Sequence, residues 1–493
     1  MRRPSNPWTR KPIAVLIQEM EGSRLHRALG PVALTALGIG ATVGAGIYVL
    51  TGKAAHDHAG PSLMLSFLLA GLGCGFAALC YSELASMVPV AGSAYTYAYA
   101  TLGELVAWII GWDLVLEYAI GSSAVAVGWA DYFVELLRGL FGIRIDPRLT
   151  SSPWDFEVGK GFFLKIVELA DGSHAQAWCN LPAVFICALI TAVLVVGIRE
   201  SARFNATMVI LNLVVILMVI GLGVRYVNPA NWTPFLHPEK GWGGVAEGAG
   251  RIFFAYIGFD AISTHSEEAR NPRRDLAIGI LASLLICTVL YVSVTAVLTG
   301  MVPTSRIDIN APIAAAFRSR GQDVAATLVT FGIVLGITSS LLVGMLSQPR
   351  ILLAMSRDGM LPAAVFSEIH PRFQTPWKST ILVGFIVALA GALAPLGFLA
   401  DLVSVGTLFA FIVVCASVWI LRRTNPEVER PFRTPCLPLV ASLGILVNGG
   451  LMFSLGKDNW IRLAVWLIIG LAIYFGYSRY HTKFGRDVEP KPA

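Results

Sequence analysis

Polar residues gather in short intervals along this chain, and between them run apolar stretches of membrane-crossing length. A bilayer core of about 30 Å takes about 20 apolar residues as helix. On that measure the pattern predicts twelve spans, near 32–52, 61–86, 103–137, 178–198, 201–225, 244–265, 275–302, 321–356, 376–394, 398–421, 436–455 and 458–479. The third and eighth are long enough to tilt or to project beyond the membrane. Two spans are interrupted by glycine: the first in the tract 38–48 (GIGATVGAGIY), the sixth in 253–261 (FFAYIGFDA). Non-helical backbone at membrane depth persists only where it lines a cavity or is buried in protein.

The starts of the two broken spans lie five spans apart, an odd number, so the second enters the membrane inverted relative to the first. The expected architecture is an all-α polytopic membrane protein with a five-plus-five inverted repeat. Residues 1–31 form a cytoplasmic segment, 32–225 the first five-helix repeat, 226–422 the second, and 423–493 two extra helices and a tail. Discontinuous helices at matching positions of two inverted halves point to a transporter's substrate site.

Composition agrees with this class. Hydrophobic residues make up 55% of 493 positions and charged residues 14%, against roughly 25% charged in soluble domains; mean hydropathy is +0.68. The net charge of +6 matters less than its placement. Basic residues crowd three segments: Arg2, Arg3, Arg10, Lys11, Arg24 and Arg27 before the first span, Arg270, Arg273 and Arg274 after the sixth, and Arg422, Arg423, Arg430 and Arg433 after the tenth. Cytoplasmic loops carry such excess, so both termini are expected inside and the long 138–177 loop outside. Segment 12–28 mixes Ile13, Val15, Leu16, Ile17 and Met20 with charges, which fits a helix on the inner membrane surface or a plain cytoplasmic helix. The cysteines stand in apolar runs without ligand spacing, so no disulfide and no metal is expected.

Enzymes and channels fit poorly. The chain has no nucleotide loop, no accessible Ser-His-Asp set, no metal signature and nothing like a selectivity filter. The expected partners are a small solute and the lipid bilayer, with no cofactor and no nucleic acid. A non-transporting sensor would keep the same binding glycines, and the sequence carries no signal for an accessory subunit or homo-oligomer.

Several tracts together resemble the amino acid–polyamine–organocation transporters, most closely bacterial relatives of the cationic amino acid transporters. They are 38–51 (GIGATVGAGIYVLT), the stretch FFAYIGFDAISTHSEEARNPRRDLAIGI from Phe253, and QPRILLAMSRDGMLP from Gln348. Trp112–Tyr118 with the following Ile-Gly-Ser-Ser-Ala-Val, and Glu200-Ser-Ala-Arg-Phe-Asn205, add to the likeness. The resemblance implies the five-plus-five fold and alternating access for an amino acid.

An α-amino acid presents a carboxylate and an ammonium. At the first break, Thr42, Val43, Gly44, Ala45 and Gly46 are the candidates for the carboxylate, since a half-helix N-terminus offers free N–H groups and partial positive charge. At the second, carbonyls around Phe254, Ala255 and Ile257 are the candidates for the ammonium, with Phe254 also a possible lid; close helix packing is the bland account of such glycines. Met345 and Ile257 supply an apolar wall that suits Ala, Leu or another neutral side chain. Glu117 lies fourteen residues into its span, about 21 Å deep at ~1.5 Å per residue. A carboxylate there is costly and commonly functional, and it makes a cationic substrate (Arg, Lys or ornithine) the first expectation and a small neutral one the alternative; proton coupling or a buried structural bond are its other candidate roles. Asp113, one turn earlier, reads as a scaffold hydrogen-bonder, and Asp260 as the cap of the half-helix that restarts after the second break.

Proton-coupled relatives place a lysine midway along the fifth span; the matching position here is Asn212, which cannot titrate. Ser339 and Ser340 could offer hydroxyls towards Ala41 and Gly44. That leaves a neutral joint with sodium-independent transport, or an oxygen site for sodium. Glu267, Glu268 and Arg270 with Arg350 or Arg357 suit an inner gate of ion pairs or a solvated loop. Tyr95, Tyr97 and Tyr99 suit an interfacial belt or a segment closing the inner pathway. His56, Asp57 and His58 read as solvent-facing, and His265 has no evident partner.

Overall fold

The computed structural model describes residues 4–12, 29–87, 93–157, 161–169, 171–197 and 202–483. Segment 13–28, residues 198–201 and the side chain of Glu267 lie outside the described residues, and the expectations placed on them go no further.

Every predicted interval is largely helical over its described residues. In chain order come α1 (Pro31–Thr42), α2 (Leu63–Met87), α3 (Ser93–Thr101), α4 (Glu104–Val115), α5 (Gly121–Phe141), α6 (Leu181–Val196), α7 (Ala202–Gly223) and α8 (Gly241–Ile252). Then follow α9 (Pro272–Met301), α10 (Pro312–Ser319), α11 (Asp323–Arg357), α12 (Trp377–Leu393), α13 (Leu396–Thr424), α14 (Leu437–Ser454) and α15 (Lys457–Ile473). Among the described residues, eight helical stretches are long and apolar enough to cross a membrane, and α1, α6 and α12 are shorter apolar helices. Leu189, Val193, Phe385, Leu446, Phe453 and Ile468 stand exposed along them, as side chains facing lipid do. The chain is a multi-pass membrane protein.

One feature corrects the all-α expectation. The long 138–177 loop carries four short strands: β1 (Trp154–Glu157) pairs antiparallel with β2 (Gly161–Leu164), and β3 (Ile166–Glu168) with β4 (His174–Gln176). Aromatic and β-branched residues such as Trp154, Phe156, Phe162, Phe163, Ile166 and Val167 recur here, in a loop free of the membrane's demand for helix. Phe156 and Phe162 reach Phe398 at the start of α13, at ring distances of 5.6 and 4.9 Å. The Arg462 guanidinium caps Phe156 and Phe398 at 4.1 and 4.3 Å. In the same loop Arg148 holds the Asp146 carboxyl below the usual carboxylate range through paired hydrogen bonds.

The two described ends of the chain meet on one face. The Ser5 N–H donates to the Arg479 carbonyl at 2.9 Å, and the Arg479 guanidinium to the Ser5 carbonyl at 3.0 Å. Lys11 pairs with Asp358 at 2.9 Å, both nearly buried, and the Tyr95 hydroxyl donates to the other Asp358 oxygen at 2.8 Å. Tyr95, Tyr97 and Tyr99 of α3 are buried, which does not suit an interfacial belt. On the same face Glu83 of α2 accepts two hydrogen bonds from Arg422 and one from the Thr434 N–H. The helix α4 docks on α15 through stacked Trp112 and Trp466, 4.6 Å apart, each indole N–H donating to the other residue's carbonyl.

Candidate functional site

Both glycine tracts break their helices. α1 ends at Thr42, Val43 is extended (φ −79°, ψ 99°), and a π-helical turn, Gly46–Leu50, restarts the chain. In the second tract the short 3-10 turn Phe253–Tyr256 follows α8, Ile257 is extended, and Gly258 takes φ 120° before the next turn begins at Phe259. That angle favours glycine, and a Cβ there would also lie 2.7 Å from the Ala41 carbonyl oxygen. The breaks touch: a Cβ on Gly46 would fall 2.4 Å from Ala255 Cα.

Three successive carbonyls freed at the first break each accept from a neutral side chain. Ala41 takes the Ser340 hydroxyl at 3.3 Å, Thr42 the Tyr291 hydroxyl at 3.0 Å, and Val43 the Asn212 amide at 3.2 Å. The Asn212 oxygen in turn accepts from Tyr48. Tyr291 also reaches the Ala255 carbonyl at 2.9 Å, so one hydroxyl serves both breaks.

Between the breaks lies a cavity of about 60 Å³. Of the residues picked from the sequence, Thr42, Gly44, Ala45, Gly46 and Glu117 border it, as do Phe254, Ile257 and Ser340. Val43, Ala255, Asn212 and Asp260 stand behind that lining and act through the contacts just given or given below. Ser339 is half-buried outside it, and Met345 borders a different cavity, one turn beyond on α11. The backbone amides at Gly44–Gly46 open a new helical turn and lack intrahelical acceptors. Across the cavity the Ala255 carbonyl is taken by Tyr291 and that of Phe254 by the Ile257 N–H at 3.3 Å. The Ile257 carbonyl is left without a donor among the described residues.

Glu117 sits in a π-helical turn, Leu116–Ile120, between α4 and α5. Such turns insert a residue and recur at functional sites. Its Oε2 accepts from Thr407 of α13 at 3.1 Å, while Oε1 has no partner among the described residues. Asp113 packs on Gly406 with neither oxygen bonded there, so it is not the hydrogen-bonded scaffold residue its spacing suggested. Asp260 does not cap the restarting turn, which lacks a side-chain cap; its Oδ2 accepts from Tyr118 at 3.2 Å. Three buried carboxyls thus cluster below the cavity with no cation beside them among the described residues.

An apolar cluster flanks the cavity. Leu50, Val127, Phe254, Leu399 and Val403 form a small apolar cluster apart from the main core. Val127 borders a second, larger cavity of about 620 Å³ under the β-strands, so the cluster separates the two. Elsewhere Tyr81 packs edge to face on Phe259 and Phe411, which are tilted against each other, with centroids 5.3–6.3 Å apart. Tyr291, Thr407 and Tyr118 carry much of this site, yet each reads in sequence as one more residue of an apolar span.

A sequence model of the amino acid permease family matches residues 29–476, a range that includes both breaks and the cavity. The chain belongs to that family. As the tract resemblance implied, this family member also matches transporters of the amino acid–polyamine–organocation superfamily. The branched-chain amino acid permease BcaP of Bacillus subtilis is 46% identical over 481 residues, 97% of this chain and 99% of the relative. The methylthioribose transporter of the same organism is 42% identical over 478 residues, again 97% and 99%. The vacuolar cationic amino acid transporter 2 of Arabidopsis thaliana is 41% identical over 418 residues, 84% of this chain and 62% of the relative. No cluster of ligating side chains that could hold a metal occurs among the described residues.

Proposed function

We propose that the protein is a secondary transporter that moves an L-amino acid across the cytoplasmic membrane by alternating access. The observation that carries this reading is the small cavity between two abutting helix breaks, with amides at Gly44–Gly46 on one side and the Ile257 carbonyl on the other. One side supplies donors for a carboxylate and the other an acceptor for an ammonium. Phe254 borders the cavity and belongs to the small apolar cluster that separates it from the larger cavity under the β-strands. In this reading twelve helices span the bilayer as two inverted repeats of five plus two. The face where both chain ends meet is cytoplasmic, by its excess of basic residues.

Glu117 points to a cationic side chain, yet the rest of the wall shifts the balance. Ala41, Val125, Ile257, Ala261 and Val343 give an apolar and narrow surface, and Met345 lies outside it. We favour a neutral, small-to-medium substrate, a class that the name of one relative, the branched-chain permease, also carries. The second reading, a cationic substrate, rests on the unpaired Oε1 of Glu117. Transport is sodium-independent in our reading, because Ser340, Tyr291 and Asn212 already occupy the freed carbonyls of Ala41, Thr42 and Val43. The test is counterflow in liposomes loaded with unlabelled amino acid, comparing labelled leucine, alanine and arginine. Exchange of leucine or alanine well above arginine supports the neutral reading, the reverse supports the cationic one, and no exchange of any amino acid overturns transport.

A further inference from the structure

A second polar cavity lies away from the helix breaks, between the end of α6, the second half of α11 and the turn 370–376. Its volume is about 520 Å³. Arg350 and Arg372 border it, and no carboxylate does among the described residues. Elsewhere in the molecule arginines meet acids: Arg422 meets Glu83, Arg251 meets Asp401, and Arg318 meets Glu135. Arg350 and Arg372 form no ion pair among the described residues, so neither makes the gate contact with Glu268 that the sequence suggests for Arg350.

The cavity is built and not a gap between loops. Gly197 ends α6 at φ 87°, and the Thr375 hydroxyl donates to the Val195 carbonyl at 2.8 Å, which seats the turn against the helix. The His370 N–H closes the turn onto the Thr375 carbonyl at 2.8 Å. The Arg372 guanidinium lies 5.6 Å from the ring of Phe373, which orders its stem. Pro349 sits inside α11 and cannot donate to the Met345 carbonyl, and both residues border the cavity. The site therefore combines two unpaired cations with a carbonyl deprived of its helical donor.

Leu194, Val196, Leu346 and Phe373 give the cavity an apolar side, beside the polar Gln374, Thr375 and Thr380. Val196 is 57% exposed and continues a stripe of exposed Val193 and Leu189 along α6, beside Ile381 and Phe385 of α12. A hydrated free anion gains nothing from such a stripe, whereas an acyl chain does. We propose that this cavity is a binding site for an anionic phospholipid, its phosphate on Arg350 and Arg372 and one acyl chain along the α6 stripe. Hydroxyl groups of a glycerol headgroup would supply donors for the freed carbonyl. The orientation argued above places this lipid in the inner leaflet. A headgroup here ties α6 to α11, the helix that carries Ser340 against the first break.

The test uses the full chain, purified and delipidated in detergent. Retention of phosphatidylglycerol, phosphatidylcholine and inorganic phosphate is measured by native mass spectrometry, with thermal unfolding in parallel. Phosphatidylglycerol should be retained and should raise the unfolding temperature, while phosphatidylcholine and phosphate should do neither. The R350Q/R372Q double variant should bind phosphatidylglycerol about thirtyfold more weakly while unfolding at the wild-type temperature without lipid. Arg350→Lys with Arg372→Lys keeps the charge and should retain binding, which guards against a folding defect in the glutamine pair. Undiminished phosphatidylglycerol retention in the double glutamine variant overturns the proposal. Equal stabilisation by inorganic phosphate also overturns it, since the site would then take a free anion.

Discussion

Gly46 and Ala255 meet backbone to backbone, so close that a methyl on Gly46 would fall 2.4 Å from Ala255 Cα. This contact joins the two helix breaks and sets the floor between their free amides and carbonyls. Gly46→Ala must push the breaks apart. Overpacking costs about 1–3 kcal/mol, and because the strain falls on the site itself, amino acid counterflow should drop by about tenfold or more. Gly75→Ala, where nothing lies within 4 Å, should transport normally. Wild-type exchange by Gly46→Ala would show that the breaks separate freely and that their contact is not needed.

Tyr291 holds the same junction from α9. Its single hydroxyl proton lies between the carbonyls of Thr42 and Ala255. Tyr291→Phe leaves both without that donor and should cost about 1–3 kcal/mol of stability. Thermal unfolding in detergent would register it as a lower Tm, and counterflow should slow with it. An unchanged Tm would mean that other groups satisfy these carbonyls.

Part of this site is legible in the sequence, and the reason is local. Glycines at 44, 46 and 258 inside apolar runs announce broken helices because a helix interior disfavours glycine and lipid forbids free peptide groups. Glu117 announces itself by depth. Tyr291, Thr407 and Tyr118 do not, since a hydroxyl on an apolar span is unremarkable until its distant partner is known. The docking of Ser5 and Lys11 onto Glu104 and Asp358 is invisible for the same cause: the partners lie 99 and 347 residues away. Met345 shows the converse. Its spacing suggests a wall residue, but α11 turns it into the neighbouring cavity.

Glu117→Gln separates the roles open to that carboxyl. The amide keeps an oxygen for Thr407 and removes the charge. With a neutral substrate, leucine counterflow should persist, and loss of accumulation driven by an imposed pH gradient would then give Glu117 to proton coupling. Selective loss of arginine exchange, by about tenfold or more as expected for a charged hydrogen bond of at least ~1.5 kcal/mol, would instead give Glu117 to a cationic substrate. Equal counterflow loss for all substrates would make it a structural partner of Thr407.

Asn212 gives a sharp ionic prediction. With its amide on the Val43 carbonyl and its oxygen on the Tyr48 hydroxyl, the joint is neutral and complete. Initial uptake rates in sodium and in choline media should agree within error. Asn212→Leu should lower both together and reduce Tm, because a buried carbonyl and a buried hydroxyl lose their partner, at about 1–3 kcal/mol each. A sodium gradient that drives accumulation in the wild type would contradict this account of the joint.

Lys11 and Asp358 bind the beginning of the chain to the end of α11 with side chains only 5% and 9% exposed. Asp358 also accepts from Tyr95, and its carbonyl accepts from the Lys483 N–H, so a single acid gathers both chain ends and α3. Removing one partner of a buried pair costs about 3–5 kcal/mol. Lys11→Ala should therefore lower Tm sharply, and so should Asp358→Ala. The double variant should lose less than the sum of the two, the signature of direct coupling. Release of this face frees α11, whose Ser340 braces the first break, so Lys11→Ala should also shift the resting balance towards the state open on the side of the chain ends. Labelling of a cysteine introduced at Ser340 by a reagent added from that side reports the shift. Faster labelling in Lys11→Ala than in the wild type is expected, and an unchanged rate with a lowered Tm would confine the pair to stability.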